Sequence, residues 1–164
     1  MPKVVRRNMF DDELDLYVVT TNGCITDDKL VMGRGVALDA KGLCPRLPRE
    51  AAETIQGAPG FHRHSAGCFV YGFVVLYQVV CRDKVERNFG LFQVKYKFAD
   101  AADTALIGYS VVVMNHVLRG DYFNSQRFKK IGMNYPGIGN GRLTKDQVVP
   151  LLESLDKRVT VYEL

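Results

Sequence analysis

Val31-Met32-Gly33-Arg34-Gly35-Val36-Ala37-Leu38 and, much later in the chain, Tyr135-Pro136-Gly137-Ile138-Gly139-Asn140-Gly141 are two glycine-rich loops. Each follows an apolar, strand-like run and leads into a helical pattern. Glycine admits positive φ and lets backbone N–H groups approach a ligand with no Cβ in the way. A helix N-terminus behind such a loop adds unpaired donors and partial positive charge, a combination suited to phosphate. Two such loops at strand-to-helix transitions can clamp a diphosphate from opposite sides, so a nucleotide-like ligand is expected.

Working outward, strand-like and helix-like segments alternate. Val4 to Met9 reads as a short strand, Asp11 to Asp15 as a turn, and the β-branched and aromatic run Leu16 to Thr21 as a buried strand. Val36 to Leu43 reads as a helix stopping before Pro45, and Pro48 opens a second helix through Gln56. Gly57 to Gly60 reads as a loop. Phe69 to Cys81 and Phe89 to Val94 are β-rich and joined by the charged turn Arg82 to Asn88, which predicts a hairpin. The apolar period of Ala102, Leu106, Tyr109, Val113 and Val117 predicts a helix over Asp100 to Leu118. Phe128 to Asn134 is a strand feeding the second loop. Thr144 to Leu155 is an amphipathic helix with Thr144 and Gln147 as a capping box, and Pro150 inside it implies a kink or a late start. Arg158 to Tyr162 alternates as a closing strand. The order implies a layered α/β domain over residues 1–164, its sheet largely parallel with an antiparallel hairpin. Ligands in such folds collect at the carboxyl ends of strands, where both loops fall.

Composition narrows the class. The chain has 164 residues, 47% hydrophobic and 24% charged, which suits one ordinary core and carries no disorder signature. A net charge of +4 favours an anionic ligand but falls short of a dedicated nucleic-acid binder. The N-terminal Met1-Pro2-Lys3-Val4-Val5-Arg6-Arg7 has no apolar core of a signal peptide, and no stretch is long enough to span a bilayer, so a cytoplasmic protein is expected. Cys24, Cys44, Cys68 and Cys81 lack C-x-x-C spacing and sit mostly in apolar contexts, which predicts reduced, buried thiols. His62, His64 and Cys68 offer three metal ligands without a fourth, and a solvent-exposed loop is the expectation there, with no metal and no cofactor. Arg127, Lys129 and Lys130 read as a solvated basic face that can also steer a nucleic acid. No nucleophile elbow or Walker lysine accompanies either loop.

Asn22 at a strand end, Met32 to Leu38, Pro136 to Gly141, and the ending Val159-Thr160-Val161-Tyr162-Glu163-Leu164 together resemble the macrodomain family. The similarity is to the branch that contains the terminal ADP-ribose protein glycohydrolase and the DarG antitoxin. It spans nearly the whole chain, with a poor match from Gly57 to Arg87. It implies a three-layer α/β/α fold that binds ADP-ribose across the top of a mixed, largely parallel sheet. By the same resemblance Gly33, Arg34, Gly35 and Val36 face the pyrophosphate and distal ribose, and Gly137, Ile138, Gly139, Asn140 and Gly141 close over the diphosphate. Asn22 corresponds to an asparagine that contacts the distal ribose. Arg7-Asn8-Met9-Phe10 corresponds to a Gly-Asp-Leu-Phe segment whose acid receives the adenine amino group; Asn8 offers an uncharged acceptor there, or serves as an ordinary turn residue.

The resemblance also implies a catalytic lysine at Lys95, where Phe92-Gln93-Val94-Lys95-Tyr96-Lys97 ends a strand. Such a lysine attacks an anomeric carbon only as the neutral amine, which requires burial or neighbouring cations such as Lys97 to lower its pKa. The sequence alone, without the resemblance, favours reading Lys95 as a surface lysine at a strand end or a phosphate contact. The glycohydrolase carries an aspartate just beyond its second loop. Here Gly141-Arg142-Leu143-Thr144 supplies none, as in the DarG-like pattern, and Asp146 reads as a first-turn helix acid. The function classes implied are an ADP-ribosyl hydrolase acting on a modified nucleobase or carboxylate, a non-catalytic reader of ADP-ribose or a related nucleotide, and an ADP-ribose 1″-phosphate phosphatase. The partners implied are ADP-ribose and ADP-ribosylated DNA or protein.

Overall fold

The computed structural model describes residues 2–58, 62–65, 67–120 and 127–164. Its strands are β1 (Lys3–Arg6), β2 (Leu16–Thr21), β3 (Ile25–Thr26), β4 (Lys29–Leu30), β5 (His62–Ser65), β6 (Cys68–Val70), β7 (Phe73–Val80), β8 (Glu86–Gln93), β9 (Ile131–Asn134) and β10 (Val159–Glu163). The helices are α1 (Gly35–Leu43), α2 (Leu47–Gly57), α3 (Thr104–Arg119) and the single turn α4 (Lys145–Val148). Six strands form the central sheet in the order β1-β10-β9-β2-β8-β7, parallel except where β7 returns antiparallel to β8. The β3–β4 and β5–β6 hairpins stand apart from it.

Side chains alternate across a pleated strand, and β2 therefore feeds two cores. Tyr17 and Val19 pack with Ala37, Ala40, Leu47 and Ile55 of α1 and α2, whereas Leu16 and Val18 pack with Ile107, Val111 and Met114 of α3. Both faces are covered, giving the three α/β/α layers expected. That explains why Leu16–Thr21 is apolar on both faces, as a central parallel strand must be. No helix among the described residues is long and apolar enough to cross a membrane.

Local chemistry sets the element ends. Asp103 caps α3, its side chain accepting from the Leu106 N–H. The Thr144–Gln147 capping box forms as expected, but the helix it opens is short. After Val148 the chain tightens into a 3-10 turn, Val149–Leu152, around Pro150. Proline has no N–H to donate and crowds the preceding turn, so the helix expected through Leu155 stops. The second glycine loop thus leads into a 3-10 turn and one helical turn rather than a long helix. The first strand ends at Arg6, and a 3-10 turn, Met9–Asp11, follows it. The long run from Phe69 breaks at Gly72 (φ +71), where a Cβ would meet the Tyr109 ring at 2.9 Å. The charged turn is shorter than expected, since β8 already begins at Glu86. The expected loop at Gly57–Gly60 lies partly outside the described residues, and Gly57 itself ends α2.

One cysteine expectation is overturned. Cys44, at the end of α1, is bonded to Cys81, just past β7, across a sequence separation of 37. Spacing in the chain could not show that the α1–α2 corner packs against the end of β7. Cys24 and Cys68 are free and buried, as expected. A loop of this length contributes about 4 kcal/mol through the unfolded chain. Reduction, or the double substitution Cys44→Ala/Cys81→Ala, therefore lowers the thermal midpoint by roughly 10 °C. An unchanged midpoint in scanning calorimetry with and without dithiothreitol would show that the pair is not bonded.

Candidate functional site

The two glycine loops meet over the carboxyl ends of β2, β8 and β9 around a cleft of about 530 Å³, a size typical of small-molecule sites. Gly35 is the first residue of α1 and has φ +59; a Cβ there would sit 3.3 Å from the Asn140 amide nitrogen of the opposite loop. In the second loop Gly137 and Gly139 have φ of +81 and +75, and Arg142 takes the left-handed conformation that follows. The loop is tied down by the Leu143 N–H donating to the Gly137 carbonyl at 2.9 Å and the Ala102 N–H to the Gly141 carbonyl at 2.8 Å.

Asn8, Met9, Asn22, Gly33, Arg34, Gly35, Val36 and Lys95 line the cleft. Gly137, Ile138, Asn140 and Gly141 line it from the other side. Gly139 does not line it; at φ +75 it shapes the turn of the loop behind the wall. Asn22 is 8% exposed. Its Nδ2 donates to the Val31 carbonyl at 3.0 Å and its Oδ1 accepts from the Cys24 N–H at 2.9 Å. That bridge joins the end of β2 to the start of the first loop, and leaves one amide hydrogen and one lone pair for a ligand. Asn8 Oδ1 accepts from the Phe10 N–H at 2.9 Å and caps the 3-10 turn. The turn role and the position on the cleft wall coincide in this one side chain.

Lys95 follows the end of β8 and is held there by Gln93, which is fully buried. Gln93 Oε1 accepts from the Tyr71 and Gly72 N–H groups at 3.0 and 3.1 Å. Its Nε2 donates to the Phe69 carbonyl at 2.8 Å and to the Lys95 carbonyl at 3.3 Å. Every polar atom of this buried amide is used, which rigidifies the strand end. The Lys95 ammonium has its pKa lowered, first by burial and then by the charges of Arg34 and Arg142, with Asp100 acting in the opposite direction. The cations are thus Arg34 of the first glycine loop and Arg142, which directly follows the second, not the sequence neighbour Lys97.

Several residues of this region carried no sequence signal. Phe98 is 55% exposed on the cleft rim, three residues beyond Lys95. Asn134, at the end of β9, donates Nδ2 to the Tyr162 carbonyl at 3.1 Å, which fixes the amide orientation; its buried Oδ1 has no partner among the described residues. Such an orphan acceptor costs about 1–3 kcal/mol until a donor reaches it. Asp146 lies in the first turn of α4 and not on the cleft wall. His62 and His64 lie on β5, not in a loop; the His64 ring stacks on Tyr96 at 4.1 Å, and no three His, Cys, Asp or Glu side chains among the described residues could hold a metal ion.

This arrangement has structural counterparts. The chain matches the macrodomain of Thermus aquaticus DarG at a TM-score of 0.66 and 20% identity, covering 100% of this chain and 98% of that one. The chain has the macrodomain fold. A second match is Thermosipho africanus DarTG in complex with ADP-ribose, at a TM-score of 0.68 and 18% identity, over 99% of this chain and 42% of that chain. The macrodomain of Mycobacterium tuberculosis DarG matches at 0.69 and 17%, over 100% and 98%. No family model and no curated protein matches by sequence. The macrodomain likeness therefore rests on the three-dimensional arrangement, including the sheet order that brings the two glycine loops together.

Proposed function

We propose that this macrodomain binds ADP-ribose between its two glycine loops and releases it from a modified nucleobase or carboxylate, with Lys95 as nucleophile. The observation that carries this reading is the convergence of both loops and Lys95 on one cleft, in a fold shared with a protein solved in complex with ADP-ribose. Backbone N–H groups of the loops and the start of α1 suit the diphosphate. ADP-ribose also brings hydroxyl and amino donors of the kind the Asn134 oxygen lacks. In the first step the neutral Lys95 amine forms a C–N bond to the anomeric carbon as the bond to the modified group breaks; the leaving group takes that electron pair and a proton. Water then releases ADP-ribose and restores the lysine. The segment after Gly141 supplies Arg142 rather than a carboxylate, and this favours a non-catalytic reader as the second reading. Incubation with ADP-ribosylated DNA and ADP-ribosylated protein separates the two: released ADP-ribose supports hydrolysis, whereas binding without release supports the reader.

The base end gives a separate test. Asn8→Asp keeps the cap on Phe10, since a carboxylate also accepts that N–H, and adds charge where an adenine amino group would donate. Calorimetry should show ADP-ribose affinity preserved or raised a few-fold, and weaker binding of the hypoxanthine analogue, whose carbonyl faces the acceptor. If the substitution changes neither affinity, Asn8 is a turn residue only.

A further inference from the structure

Two buried thiols are used neither by the proposed chemistry nor by the Cys44–Cys81 bond. Cys24 follows β2, Cys68 opens β6, and the two residues are antiparallel bridge partners. Such partners lie about 4.5–5.5 Å apart at Cα, within the span of a disulfide. Their sulfurs are 3.2 Å apart, and the two residues are only 7% and 5% exposed. The geometry points to a redox modification site: Cys24 and Cys68 form a dithiol that closes reversibly to a disulfide by exchange with a small disulfide of the glutathione class.

The exchange balances. One cysteine thiolate attacks glutathione disulfide, forming a mixed disulfide and expelling one glutathione thiolate. The second cysteine thiolate attacks the protein sulfur of that mixed disulfide and expels the other. The dithiol is oxidised by two electrons, the glutathione disulfide is reduced to two thiols, and the two cysteine protons end on the departing thiolates. Burial and the neighbouring thiol push Cys24 up to about 11, which keeps it a thiol near neutrality and makes the reduced form persistent in the absence of an exchange partner.

The bond would lock a junction beside Lys95. The Gly23 N–H donates to the Tyr96 carbonyl at 2.9 Å, and the Gly23 carbonyl accepts from the Phe69 N–H at 2.7 Å. The Cys24 thiol also lies 3.5 Å from the Tyr96 carbonyl. A Cys24–Cys68 disulfide would staple β6 to the end of β2 across the segment that carries Lys95 and Tyr96.

The test needs no nucleotide, so its failure leaves the proposed function standing. Wild type, Cys24→Ser and Cys68→Ser are incubated natively with oxidised glutathione, alkylated, and measured by intact mass and peptide mapping. Wild type should lose both alkylatable thiols and two hydrogens, yielding a linked Cys24–Cys68 peptide, while each single variant holds one glutathione adduct. The oxidised form should also unfold roughly 10 °C higher, with slower hydrogen exchange at the Gly23 and Phe69 amides. Two thiols retained, a mixed disulfide that persists in wild type, or bonds from Cys24 or Cys68 to Cys44 or Cys81 would overturn the proposal. A bond formed without slower exchange at those amides would overturn the locking.

Discussion

Lys95→Ala abolishes release of ADP-ribose from a modified substrate, lowering turnover by roughly a thousandfold or more while free ADP-ribose still binds within a few-fold of wild type. Loss of a positioned nucleophile removes an interaction made in the reacting complex, and a thousandfold corresponds to about 4 kcal/mol. In the proposed site, binding would rest instead on the loops, which alanine at residue 95 leaves intact. The pH profile carries the finer evidence. Burial, Arg34 and Arg142 lower the Lys95 pKa, and Asp100 raises it. The rate should therefore rise with pH as the amine loses its proton and level off above a midpoint below that of an ordinary lysine. Arg34→Gln and Arg142→Gln remove repulsion and move this midpoint up; Asp100→Asn removes an attraction and moves it down. Equal turnover by wild type and Lys95→Ala, or a pH midpoint unmoved by all three neighbours, would sink the nucleophile assignment. If both proteins bind ADP-ribose and neither releases it, the reader reading takes its place.

Gly35→Val weakens ADP-ribose binding by roughly tenfold to a hundredfold. At φ +59 a β-branched residue strains the backbone, at a cost of about 1–3 kcal/mol. Its Cβ would also stand 3.3 Å from the Asn140 amide across the cleft, so the first N–H groups of α1 are displaced from where a diphosphate would lie. Gly42→Ala in the same helix is the control. Nothing lies within 4 Å of a Cβ there and φ is ordinary, so binding should be unchanged and stability slightly higher. Titration calorimetry reads both. Equal affinity for Gly35→Val and wild type would show that the diphosphate is held elsewhere.

Much of the fold was legible because it depends on short-range rules. Leu16–Thr21 is β-branched and apolar on both faces, which only a covered central strand satisfies. The Thr144–Gln147 box and the helical period from Ala102 to Val117 report the local hydrogen bonding and the buried face of their own segments. The misjudged ends have one local and one long-range cause. The extent of the helix after Thr144 turned on the single missing N–H of Pro150, and the split of the Phe69–Cys81 run on Gly72 lying against Tyr109, a contact between segments far apart in the chain.

The site divides in the same way. Glycines at 35, 137 and 139 mark where the backbone takes a positive φ, because that freedom is a property of the residue itself. Charge and pairing are properties of neighbours in space. Asp100 is a near neighbour of Lys95 in the chain, but Arg34 and Arg142 act on it from segments that only the folded chain brings together. Cys44 meets Cys81 because the α1–α2 corner packs on the end of β7, and the Asn134 amide meets the Tyr162 carbonyl because β9 pairs with β10. Backbone conformation was thus written residue by residue in the chain. The ionisation of the lysine and the oxidation of the cysteines depend on distances between residues remote in sequence, which exist only once the chain has folded.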